Sequence, residues 1–267
     1  MELSCKDIYS NPTGRWKTTA TTRYSVRDRM NKVFIQNLQK NRGRFLAQPY
    51  QSDDGTVIMW VKVPSKNYNI NRIIYDVVIE IEAGIGDAAV RPAKFFVNSP
   101  SFIYSYAYVF NKNKLLVPWL AIQIPQRALT QPPEVRNPNE ELGYELILFE
   151  ALCYIINGGC LTEQYLDRYS KKFDAYAKLE IQSKVSNPEK LTRIYHDAIS
   201  LHAKTHKKDY DPKVKPQQRA SIKELARTEK YRSPIKFRDK FMRRTPKAKL
   251  TAKSYKRKIT STTESDF

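Results

Sequence analysis

The chain has 267 residues, 41% of them hydrophobic, and a formal net charge of +20. That apolar content can build a substantial core, which excludes a wholly disordered chain, and no apolar run approaches the roughly 18 to 20 residues of a membrane span. The charge is gathered at one end: Lys204–Lys258 holds 21 Lys and Arg against five acids, a surplus of 16 out of the 20.

Met1 to Thr22, MELSCKDIYSNPTGRWKTTATT, has neither a helical nor a strand period and mixes Pro12, Gly14 and a Thr-rich run, the composition of an irregular arm. From Arg23 onward Val26, Met30, Val33, Phe34 and Leu38 recur at helical intervals before Gly43. This spacing predicts an amphipathic helix with a basic outer face. TVIMWVKVPS (Thr56–Ser65) and RIIYDVVIEIEA (Arg72–Ala83) are rich in β-branched and aromatic residues and predict an antiparallel pair. Tyr75, Val77, Ile79 and Ile81 alternate with Asp76, Glu80 and Glu82, which suits a sheet with one wet side.

KFFVNSP then leads into Ser101–Phe110, SFIYSYAYVF, where Phe102, Tyr104, Tyr106, Tyr108 and Phe110 occupy every even position. Read as an inner or late strand of the same meander, this comb puts all its rings on one face. Such a face can stack single-stranded bases or fill a core. No cation lies between Lys94 and Lys112, so core packing is the stronger reading. Five prolines between Leu115 and Pro138 predict an extended strap over the sheet. Asn139 can cap a helix with Glu140 and Glu141 in its first turn, stopped by Asn157-Gly158-Gly159, and its apolar load makes it the sheet-packing helix. Thr162 opens a helix through EQYLDRYSKKFDAYAKLEIQ with Tyr165, Tyr169, Phe173 and Tyr176 on one face, and Asn187-Pro188 opens the last. Beyond His206 apolar residues become sparse.

The expected organisation is an arm over 1–22, an α+β core domain over 23–206 with an antiparallel β-meander packed by helices, and a basic, extended or disordered tail over 207–267. A Lys/Arg-rich tail is attracted to polyanions through counterion release. Its candidate nucleic-acid contacts are Arg243, Arg244, Lys247, Lys249, Lys253, Lys256, Arg257 and Lys258, and Phe237, Phe241 and Tyr255 are candidate docking residues for a partner subunit.

Signs of catalysis are weak. His202 and His206 form an i, i+4 pair, but no acid or thiol at ligand spacing completes a zinc site. The three cysteines are an odd number without a CxxC pair, which predicts reduced thiols in a cytoplasm. Cys153 reads as a small core residue, while Cys160 after Gly158-Gly159 has room to be exposed but has no histidine near in sequence to activate it. GIGD at Gly84–Asp87 is a turn rather than a phosphate loop. No enzyme activity, metal or cofactor is therefore expected.

The run FFVNSPSFIYSYAYVFNKNKLLVPWL (Phe95–Leu120) with RNP at Arg136–Pro138 resembles uncharacterised structural proteins of tailed bacteriophages. That resemblance implies a virion protein, a capsid or head-to-tail subunit made in the host cytoplasm, with other virion subunits, its own copies and sequence-independent nucleic acid as partners, and no membrane. The order helix, three strands, proline strap, helix also resembles the ubiquitin-conjugating enzyme fold. Neither that family's His-Pro-Asn motif nor a cysteine in the strap is present, so conjugating activity would not follow. A ribosomal or other ribonucleoprotein subunit, which shares the layout of neutral domain and cationic arm, is the rival expectation.

Overall fold

The computed structural model describes residues 2–15, 19–133, 137, 140–143, 145–185, 190–191, 193–194 and 196–197. The chain divides after Thr205, and all described residues belong to the first unit. The basic tail and the boundary expected near His206 lie outside the described residues, as does most of the helix expected from Pro188.

Four strands, β1 (Leu46–Gln51), β2 (Val57–Pro64), β3 (Ile74–Ile81) and β4 (Ala93–Val97), form an antiparallel meander in the order β4-β3-β2-β1. A two-residue strand, β5 (Lys171–Lys172), pairs parallel to β1 through Tyr50 and Gln51 and makes the sheet mixed. The α+β class stands. The turn between β1 and β2 closes because Asp54 accepts from the Thr56 amide at 2.9 Å while Gly55 takes φ +84°, a conformation glycine adopts without steric cost.

The register places Met59, Val61, Val63, Val77, Ile79, Phe95 and Val97 on one face and Trp60, Asp76, Val78, Glu80 and Phe96 on the other. The second face is not wet as the alternation predicts. Val78, Phe96 and Asp76 are buried, Trp119 donates its indole N–H to Glu80 at 2.7 Å, and Phe173 packs between Tyr50 and Trp119. Alternating polarity marks a solvated face only when nothing later in the chain returns to cover it. Here the segments around Trp119 and Phe173 do.

Helix α7 (Leu146–Asn157) packs across β2 and β3, with α1 (Cys5–Ser10) and α2 (Ala20–Lys40) against it. Residues 2–15 therefore correct the expectation of an irregular arm. Ser4 and Asp7 form a reciprocal capping box, Leu3, Cys5 and Ile8 are buried, and Tyr9 stacks on Phe149 at 5.7 Å. The Leu3 carbonyl accepts from the Ala93 amide at 2.8 Å, which ties the segment to β4. Its six-residue helix is too short to register as a period.

The aromatic comb is not a strand. It folds as α4 (Pro100–Ser105) and α5 (Ala107–Lys112), opened by Ser99 as N-cap with Pro100 in the first turn. Even spacing contains the helical set i, i+4, i+8, and that subset, Phe102, Tyr106 and Phe110, is the buried one, with Tyr104 exposed. The strap is likewise not extended throughout. Pro118 opens a 3-10 turn over Pro118–Gln123, Pro125 stands as N-cap of α6 (Gln126–Thr130), and Leu115, Leu116, Val117, Leu120 and Ile124 are buried.

Asn139 lies outside the described residues, and the helix expected from it starts later, at Leu146, with Glu145 as its N-cap. Gly158 ends it as expected. The long helix expected after Thr162 is two, α8 (Glu163–Tyr169) and α9 (Ala175–Lys184), separated by β5. Thr162 and Asp174 cap them. Pairing with the open edge of β1 gives Lys171 and Lys172 backbone partners that outweigh one more helical turn.

Candidate nucleic-acid interface

All eleven residues named from the sequence as nucleic-acid or partner contacts, Arg243 to Lys258 together with Phe237, Phe241 and Tyr255, lie outside the described residues. Among the described residues the outer side of α2 is a basic surface. A stripe of Val26, Met30, Phe34 and Asn37 faces inward at helical spacing, so the intervening positions carry Arg29, Lys32 and Lys40 into solvent, with Arg23 and Arg27 half-buried. Asp28 is the helix's single acid. Twenty-one residues make a rod of about 30 Å. Arg27 lies 4.7 Å over the Tyr24 ring, which holds its guanidinium along the helix.

What fixes α2 in place is a buried polar chain. Asn37 donates to Glu150 of α7 at 2.7 Å and to the Pro64 carbonyl at the end of β2 at 2.9 Å, and Asn41 donates to Asn37 at 2.7 Å. Glu145 accepts from Ser99 at 2.9 Å and from the Leu148 amide at 2.6 Å, so one carboxyl joins the caps of α4 and α7. Asp76 accepts from Trp60 and from Asn98 at 2.9 and 3.0 Å. These residues satisfy chain ends that the sheet and helices would otherwise leave unpaired in the interior.

Burial pushes the Glu145 and Glu150 carboxyls up to about 7. That is the range of a general acid or base, but both side chains are enclosed, 1% and 0% exposed, and touch only protein. Their position makes them ties between elements. Cys153 is buried as expected and its thiol donates to Asn31 at 3.2 Å. Cys160, whose exposure the sequence left open, is buried as well, because the chain turns back after Gly159 and its amide bonds the Ile155 carbonyl at 2.8 Å. Burial raises both thiols, the opposite of an activated nucleophile.

Among the described residues no group of three or more His, Cys, Asp or Glu could hold a metal ion, and no helix is long and apolar enough to cross a membrane. No protein-family model matches the chain, and no curated protein or solved structure matches it.

Proposed function

We propose that the protein is a non-enzymatic structural subunit of a tailed-bacteriophage particle, in the capsid or the head-to-tail region, whose cationic C-terminal segment contacts nucleic acid or neighbouring subunits. The observation that carries this reading is the segregation of charge: Lys204–Lys258 supplies 16 of the net +20, while the remainder of the chain is close to neutral. A cationic extension gains affinity for any polyanion by releasing counterions and reads no sequence in doing so, which suits packaging or scaffolding rather than regulation. The basic outer side of α2 adds a second positive surface with the same chemistry.

Mass spectrometry of purified virions and, in parallel, of ribosomes from the source tests the reading. The protein is expected at structural stoichiometry in virions. Its presence in ribosomes and absence from virions would replace the phage particle with a ribonucleoprotein.

A further inference from the structure

Two arginines converge on one tyrosine at the end of the sheet where α2 terminates. The guanidinium carbon of Arg44 lies 4.3 Å from the centroid of the Tyr68 ring, and that of Arg72 lies 5.6 Å from it. Arg44 follows the last turn of α2, whereas Tyr68 and Arg72 belong to the connection between β2 and β3, where a short helix, α3 (Tyr68–Asn71), interrupts the loop.

The loop is held from within. Ser65 donates its amide to the Ile73 carbonyl at 2.9 Å, Asn71 donates to the Ser65 hydroxyl at 3.1 Å and accepts from the Ile73 amide at 3.1 Å. Asn41 reaches across from α2 to the Ser65 carbonyl at 3.3 Å. Arg72 itself takes φ +54°, a left-handed conformation that favours glycine. Backbone held in this region by a rigid surround is often found where a side chain has a job to do.

A guanidinium that lies over a ring keeps its in-plane N–H groups free to point outward. That planar fork matches the spacing of two phosphate oxygens better than an ammonium does. The two stretches themselves carry charge of one sign: 38–45 and 64–75 contribute Lys40, Arg42, Arg44, Lys66 and Arg72 and contain no Asp or Glu, and the nearest acid acting on them is Glu150, buried beside Lys66. All five are exposed.

We propose that Arg44 and Arg72, held by Tyr68 and flanked by Lys40, Arg42 and Lys66, form a binding site for the phosphate backbone of nucleic acid on the folded domain. The proposal rests on the reading of this chain as a nucleic-acid-contacting subunit and adds a site built without any residue of the tail. Pre-organised arginines lose little freedom on binding, so this site fixes where the backbone runs, and the tail adds affinity by charge.

The test uses the full chain and a labelled duplex DNA, with affinity measured by anisotropy over a range of salt. In the Arg44→Gln, Arg72→Gln double variant the log-log salt slope is expected to fall by about 1.8, two phosphates at about 0.9 each, with the circular dichroism unchanged. Tyr68→Phe should bind like the original chain, and Tyr68→Leu several-fold more weakly. An unchanged slope in the folded double variant overturns the site. If that variant does not fold, Arg44→Lys with Arg72→Lys serves instead: it is expected to keep the slope and bind several-fold more weakly, and equal affinity overturns the site. Replacing the eight basic tail residues by Gln separates the two readings. Loss of all binding there, with the slope intact in the arginine variant, rejects the site and leaves the tail reading standing. Retained binding there, with the slope lost in the arginine variant, supports the site and removes the tail reading. Polyglutamate competing as well as DNA, with the same dependence on both arginines, assigns the surface to acidic protein and overturns the proposal.

Discussion

Tyr106 and Tyr104 stand two residues apart, and a strand would put both rings on one face. The helical break at Tyr106 instead buries that ring, at 8% exposure, and leaves Tyr104 at 48%. Tyr106→Ala should therefore cost about 3 kcal/mol in urea unfolding, while Tyr104→Ala should stay within about 0.5 kcal/mol. Equal losses would restore the strand. Glu150 offers a test by pH. Burial is the main cause of its raised value of about 7, Asn37 and Lys66 oppose it, and Glu145 adds to it. Between the unfolded value of about 4.3 and the folded value of about 7, the native state holds a proton that the unfolded chain has released. The stabilisation linked to that proton is complete below the lower value and is lost as pH rises through the upper one. Glu150→Gln removes the buried charge but keeps an oxygen for Asn37. Its thermal midpoint should exceed the original chain's at about pH 8 and approach it at about pH 5, whereas a gap independent of pH would mean that the carboxyl titrates normally.

The N-terminal segment shows at the scale of elements how a short helix survives. α1 has six residues, too few to persist alone, and depends on its cap and on the surface it meets. The Ser4 hydroxyl accepts from the Asp7 amide, and Ser4 donates its own amide and hydroxyl to the Asp7 carboxylate, so Ser4→Ala is expected to cost about 1 kcal/mol. The chain after the helix passes so close to Gly143 that a Cβ there would lie 2.4 Å from the Pro12 carbonyl oxygen. Backbone cannot yield as a flexible side chain does. Gly143→Ala should destabilise the domain by about 1 to 3 kcal/mol in urea unfolding, and a neutral result would show that residues 11–14 do not dock there. α8 and α9 show the converse. Their combined sequence could continue as one helix, but β5 captures its middle at the edge of β1, and Phe173 then packs on Tyr50 and Trp119.

For the whole molecule the distribution of charge matters more than its total. In the reading proposed above, Arg243, Arg244, Lys247, Lys249, Lys253, Lys256, Arg257 and Lys258 contact phosphates and read no bases. Changing all eight to Gln should flatten the salt dependence of full-chain binding and weaken it equally for unrelated DNA sequences, as measured by competition. Sequence-selective weakening would point to base readout and away from a structural subunit. Loss of assembly with DNA affinity intact would give the tail's work to docking residues such as Phe237, Phe241 and Tyr255.

The sequence by itself determined the strands β2 and β3, the helical stripe of α2, the cap at Thr162 and the stop at Gly158. Each rests on neighbours within a few residues, where period and capping act. Ser99-Pro100 carried an equally local helix start, but the ring spacing that follows fits both periods, and tertiary packing chose between them by burying Phe102, Tyr106 and Phe110. The charge segregation was plain from composition. The convergence of Arg44 and Arg72 on Tyr68 was not, because only the pairing of β2 with β3 and the Asn41 bond to Ser65 bring the two stretches together. Only the tertiary structure could decide that Asn37, Glu150 and the end of β2 meet, since residues far apart in the chain share a buried hydrogen bond only after the surfaces around them have packed.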